Sequence, residues 1–169
     1  AREFAAMLGK KLNPIAPKIT FPKGGDRVNV TIEKSGILSR ILSTIITNIK
    51  IEESPEWLES RLTAVGVRPI NNVVDITNYV MCETGHPMHA FDRKLVGDDS
   101  LVIRYAKNAE SINAIDHKTY KLSNEDALVT NGDRALAVAG IIGGADTEIN
   151  LRTTEIILEL ATWNPVMIR

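Results

Sequence analysis

Glu159 interrupts the apolar run "TTEIILELATW" (153–163), and His86 and His89 flank Pro87 in "ETGHPMHAFD" (83–92), immediately after the Asn-rich stretch "RPINNVVDITNYVMC" (68–82). These are the residues whose types could do chemistry. An ionised carboxylate inside an apolar strand is costly unless a partner is supplied, and a ligand hydroxyl is one such partner. In strict alternation Ile157, Glu159 and Ala161 share one face, and Ile156, Leu158 and Leu160 share the other. If the second face packs on the core, Glu159 points to water; if both are covered, it needs a partner. The sequence leaves both open.

Other constellations exclude more than they suggest. Cys82, His86 and His89 are close in sequence, but a structural zinc needs four ligands and a catalytic one usually three. The only further candidate is His117, Pro87 breaks any helix that would align the pair, and no metal site is expected. No G-x-S-x-G elbow is present, and Cys82 lacks an activating setting, so it is expected as a buried, inert thiol. "AVAGIIGGADTEI" (137–149) carries Gly140, Gly143 and Gly144 but is neither G-x-G-x-x-G nor a P-loop. Glycines in a strand-like run mark a tight turn or a close backbone approach, and such freed amides can also line a small-molecule pocket.

The elements that must position these residues follow from periodicity. "AREFAAMLGKKL" predicts a short helix and "NPIAPKITFPKGGD" a linker. "RVNVTIE" and the β-branched "ILSRILSTIITNIKIE" predict two strands, the second of them long. "SPEWLESRLTAVG" predicts a helix with Ser54 as N-cap, Pro55 at its first position and Gly66 closing it. A further helix is expected from Pro69, with a strand as the competing reading. Ile70, Val73, Val74, Thr77, Val80 and Met81 would share one face, and Asn71, Asp75, Asn78 and Cys82 another. Gly85 and Pro87 end it, and Asn71 and Asn72 are expected to cap its start. After Asp92, "SLVIRYA", "INAIDHKTYKL", "DALVTNG", "ALAVAGIIGG" and "TTEIILELATW" read as short strands, and "WNPVMIR" as the opening of a helix.

Composition bounds the function classes. The 169 residues are 44% hydrophobic and 24% charged, which is the composition of a globular chain. No apolar run reaches the roughly 18 residues of a membrane span. One cysteine excludes an internal disulfide framework and fits a reducing cytoplasm. Residues 1–50 hold nine Lys/Arg against three Asp/Glu, whereas 51–169 hold eleven against eighteen. An uneven solvated surface explains that split as well as a polyanion-binding edge does. Eight aromatics in all make no stacking platform of the kind single-strand binders use.

Taken together, "VRPINNVVDITNYVMCETGHPMHAFD", "ALAVAGIIGGADTEI" and "TTEIILELATWNPVMIR" resemble the B3/B4 region of the bacterial-type phenylalanyl-tRNA synthetase β subunit. The resemblance extends over "SPEWLESRLTAVG" and covers almost the whole chain; "SGILSR" and "AIDHKTYKL" depart from it. It implies an α+β fold with a mixed, barrel-like sheet flanked by helices. It also implies a division into residues 1–24, the helix tail of a preceding domain plus linker, and 25–169, the B3/B4 domain. The implied activity is editing: hydrolysis of tyrosine wrongly esterified to phenylalanine tRNA. By the same resemblance Thr77 and Asn78 belong to the pocket, Ala139 and Gly140 shape it, and Glu159 reads the tyrosine hydroxyl. His89 orients water or acts as a base. The resemblance places the synthetic site in a separate α subunit, so no cofactor is expected here, and ATP and magnesium only in the two-subunit enzyme. A non-catalytic scaffold or tRNA-positioning module with a vestigial pocket is the rival expectation.

Overall fold

The computed structural model describes residues 1–13, 20 and 24–169. In chain order the elements are α1 (Arg2–Met7), β1 (Asn29–Ile32), β2 (Leu38–Ile46), α2 (Glu56–Ala64), α3 (Asn72–Thr84), β3 (His89–Asp92) and α4 (Arg93–Val96). They continue with β4 (Ser100–Tyr105), β5 (Ser111–Asn113), β6 (Thr119–Lys121), β7 (Ala127–Thr130), β8 (Ala135–Val138), β9 (Ile142–Gly143), β10 (Ile156–Trp163) and α5 (Pro165–Ile168). Most of the linker expected over residues 13–26 lies outside the described residues.

The strands form three open sheets, in the orders β1-β4-β7-β8-β9, β2-β10-β3 and β5-β6. The first is mixed, because β1 runs parallel to β4 while the other pairs are antiparallel. The α+β, mixed-sheet expectation holds. Its barrel-like part is corrected: among the described residues no sheet closes on itself. The main core sits between the two larger sheets, where Phe91 and Ile157 of one meet Leu101, Ile103, Val129 and Ala137 of the other.

Two helix starts differ from expectation, and one cause links them. Pro55, with extended backbone, is the N-cap of α2, and Ser54 stands outside the helix. The Ser54 hydroxyl instead donates to the buried Asp75 at 2.6 Å, and the other Asp75 oxygen accepts from the Ile70 amide at 2.9 Å. The second bond ties Ile70 to Asp75, and Asn71 has extended backbone, so α3 begins at Asn72 rather than Pro69. Asn71 caps it, accepting from the amides of Val73 and Val74, which satisfies two of the helix's orphan donors. Asn72 ties the helix start to Lys50 and Glu52. Gly85 ends α3 in the left-handed region at φ 79°, as its position suggested. Cys82 is exposed, a correction to the buried thiol expected: it lies on the outer side of α3, away from the core.

Two short elements escape sequence patterning altogether. β3 and α4 have four residues each, too few to show a period. β2 ends at Ile46, shorter than the strand expected to run on to Glu52, because Asn48 takes a positive φ of 57° and turns the chain.

Candidate functional site

β10 is the central strand of its sheet, and its register sets the site. Glu159 pairs with Ser43 of β2 on one side and with His89 of β3 on the other. Directly opposed residues in adjacent strands project to the same face, roughly 5 Å apart at Cβ. Serine, carboxylate and imidazole therefore form a row across the sheet. The Ser43 hydroxyl is occupied, donating to the Leu158 carbonyl at 3.2 Å. The covered face of β10 is the one carrying Ile157, Glu159 and Ala161, at 0%, 6% and 6% exposure. The question left open by alternation is thereby answered: Glu159 points inward.

A cavity of about 230 Å³ opens in front of this row. It exists because the opposing side is built from small residues. Ala137 on β8, Gly140 in the β8–β9 turn and Gly143 on β9 leave volume where larger side chains would have met β10. Gly140 has φ 68°, a conformation that disfavours any other residue in this tight turn. Gly143 serves a different purpose: a methyl group there would collide with the His89 imidazole. The ring is held against Phe91, edge to face, with centroids 4.4 Å apart.

The electrostatics of the two titratable groups are set by desolvation. Burial pushes the Glu159 carboxyl up to about 7, and no opposite charge offsets it. Burial pushes the His89 imidazole down to about 4, so it is neutral at pH 7. Glu159 Oε1 is buried and has no hydrogen-bond partner. A buried acceptor left unsatisfied is rare and costly, and it asks for a donor from outside the chain.

Comparison with known proteins places the chain. The profile of the B3/4 domain matches residues 38–169. The chain belongs to the B3/4 domain family. It is 41% identical over 173 residues to the phenylalanine–tRNA ligase β subunit of Rhodopirellula baltica, covering 100% of this chain and 25% of that protein. It is 39% identical over 169 residues to that of Thermotoga maritima, covering 100% of this chain and 21% of the relative. The chain thus spans only about a quarter or a fifth of these relatives. A fragment of the phenylalanyl-tRNA synthetase β subunit from Pyrococcus horikoshii shares the fold at TM-score 0.58 and 13% identity, covering 86% of this chain and 47% of that one. The family resemblance carried by the sequence motifs holds.

Within this B3/4 chain the expected site residues separate into two groups. His89, Gly140 and Glu159 line the cavity. Thr77, Asn78 and Ala139 lie outside its lining. The Thr77 hydroxyl donates to the Val74 carbonyl at 2.7 Å, and Asn78 is half-buried on α3. Ala139, 1% exposed, packs in the main core. The α3 side of the cavity is supplied by the turn after the helix, through Pro87 and Met88. Gly143, one of the glycines expected to make a close approach and line a pocket, does so, whereas Trp163, four residues after Glu159 on the same strand, is a lining residue that the sequence reading did not single out. Among the described residues no three His, Cys, Asp or Glu side chains cluster to hold a metal, and no helix is long and apolar enough to cross a membrane.

Proposed function

We propose that this chain is the editing module of a phenylalanine–tRNA ligase β subunit, and that its cavity receives the tyrosyl group of a phenylalanine tRNA wrongly charged with tyrosine and hydrolyses the ester. In this reading it works in the cytoplasm beside a synthetase α subunit, where the ATP- and magnesium-dependent synthetic site resides. The observation that carries the proposal is Glu159, which lines a cavity sized for one side chain and whose buried Oε1 has no hydrogen-bond partner.

The physics of selection explains why a carboxyl belongs there. An apolar pocket cannot strongly reject a substrate that merely adds a hydroxyl, so removal of tyrosine needs a second site that reads the hydroxyl. A phenol donating to Glu159 gains a charge-assisted hydrogen bond worth about 1.5–3 kcal/mol. A phenylalanyl ring leaves the acceptor unsatisfied. The difference corresponds to a preference of roughly ten- to several hundred-fold.

The hydrolytic step asks little of the protein. An aminoacyl ester is already activated, so a positioned water and fixed dipoles suffice. His89, neutral at pH 7 and held on Phe91, is a weak base and a good orienting group; its role is to place the attacking water. Thr77 and Asn78 act from behind, since α3 packs on β3 and sets the turn that delivers His89.

The test is the deacylation rate of tyrosyl- and phenylalanyl-charged tRNA by the two-subunit enzyme. Glu159→Ala should erase the tyrosine preference, while His89→Ala should slow both esters, with melting curves as fold controls. If Glu159→Ala leaves selectivity intact, the carboxyl is structural and the reading fails.

A further inference from the structure

The cavity has a graded wall. Glu159, Ala161 and Trp163 follow one another on the same side of β10, and at about 3.3 Å per residue the first and last are roughly 13 Å apart. That span is longer than a tyrosyl group from its phenolic oxygen to its ester carbon. Exposure rises along it: Glu159 and Ala161 are 6% exposed and Trp163 is half-buried, while Ile141, which lines the same cavity, is 62% exposed. Gly140 is what lets the indole lie here. A Cβ on Gly140 would stand 2.7 Å from Trp163 Cδ1 and 3.1 Å from Nε1. The turn backbone and Ile168 therefore lie against the indole, which is half-buried and lines the cavity.

The enclosed volume, about 230 Å³, is below the roughly 300–1,000 Å³ of sites that enclose a drug-sized ligand. It takes one amino-acid side chain and leaves no room for a nucleoside. Whatever the amino acid is esterified to must rest at the mouth. No Lys or Arg is among the described residues that line the cavity, so none of these residues gives the mouth a cation for a phosphate. It offers instead an aromatic ring and the exposed aliphatic side chains of Ile141 and Ile115, the latter 40% exposed. Flat apolar surface of that kind suits the face of a base, because stacking on an aromatic side chain needs no charge.

We propose that Trp163, with Ile141, is the seat of the terminal nucleobase of the ester-linked RNA, positioning the ester between Glu159 and the mouth. This rests on the editing reading for the ester but not for the base, and the two separate experimentally. Trp57, the other tryptophan, stands exposed on α2, so Trp57→Phe in the full chain makes Trp163 the sole indole reporter. Titration with adenosine should quench its fluorescence saturably, and ribose should not. No quenching by adenosine, or equal quenching by ribose, overturns the seat whether or not the chain hydrolyses esters. In the second arm, Trp163→Ala should raise KM for tyrosyl-adenosine roughly tenfold or more. The loss of kcat/KM should be at least about tenfold larger for tyrosyl-adenosine than for tyrosine methyl ester, which lacks the base, with recovery in Trp163→Phe. Because Trp163 also packs on the core, equal damage to both esters would assign it to packing or to the amino-acid end, and would overturn the proposal. Failure of the two-subunit enzyme to deacylate tyrosyl-charged tRNA, with adenosine quenching by this chain intact, would remove the editing reading and keep the seat.

Discussion

Burial of Glu159 without an ion-pair partner makes protonation of one side chain visible in both stability and selectivity. The folded state holds the carboxyl proton up to about pH 7, whereas the reference value is 4.5. The carboxyl therefore favours the folded state fully below 4.5, and that contribution is lost as pH rises through about 7. At about 1.4 kcal/mol per pH unit the total is on the order of 3 kcal/mol. Glu159→Gln keeps the shape and removes the titration. It should melt with the wild type near pH 4.5 and above it at pH 8, by roughly 6–12 °C. A constant difference across that range would show that the carboxyl is solvated. His89 works in the opposite sense: its depressed value costs stability as pH falls from 6.5 towards about 4. Under the editing function proposed for the cavity, selectivity follows Glu159 too. The anion accepts the phenol hydrogen bond with full charge assistance and the neutral acid does not, so the ratio of tyrosyl to phenylalanyl deacylation should increase between pH 6 and pH 8. A flat ratio would mean that Glu159 reads the hydroxyl in one protonation state throughout, or not at all.

At the scale of elements, the site depends on how closely a hairpin approaches a neighbouring strand. β9 brings Gly143 against the imidazole of His89 on β3 so tightly that the smallest side chain has no space. Gly143→Ala is therefore an overpacking change at the site. The ring must leave its edge-to-face contact with Phe91, or the hairpin must shift. The expected cost is about 1–3 kcal/mol of stability, with a loss of roughly a hundredfold or more in ester hydrolysis, the scale on which a single positioned acid–base group contributes. Thermal melting and single-turnover deacylation measure the two. Full activity in a folded Gly143→Ala protein would show that His89 need not hold its present place. The same geometry explains why glycine is found at 140 for one reason and at 143 for another: a positive φ in the turn, and a close approach on the strand.

For the molecule as a whole, the question is whether its surface can hold RNA by itself. Net charge is −1, and several cations are already engaged internally. Arg93 is shared among Asp26, Asp99 and Glu155, and Arg104, 3% exposed, makes a bidentate pair with Glu110 while donating to the carbonyls of Tyr105, Gly132 and Asp133. Affinity for a phosphate backbone scales with the number of charges neutralised. The isolated chain should bind tRNA weakly, with a shallow dependence of log K on log salt. Fluorescence anisotropy at two salt concentrations is the measurement, and a sub-micromolar Kd at physiological salt would reveal a basic surface missed here.

The sequence by itself determined the elements long enough to show a pattern, α2, α3, β4 and β10, and the runs that hold β5–β6, β7 and β8–β9, together with the caps at Asn71 and Gly85. It also determined the family, because a long motif such as "RPINNVVDITNYV" specifies more than its physics does. Glu159, His89 and Gly140 were legible as candidates by the same route. Tertiary structure decided what alternation cannot, namely which face of β10 is covered. It placed His89 beside Glu159 by pairing two strands far apart in sequence, one of them too short to announce itself. It set Thr77 and Ala139 outside the cavity, because a threonine can satisfy its hydroxyl on its own helix and an alanine in the core leaves no trace of its neighbours. It also exposed Cys82, and it moved two helix starts through the Ser54–Asp75 bond. Local pattern records which side chains prefer burial; only the packing of β10 between its neighbours and the small-residue hairpin records where volume is left unfilled, and that unfilled volume is the site.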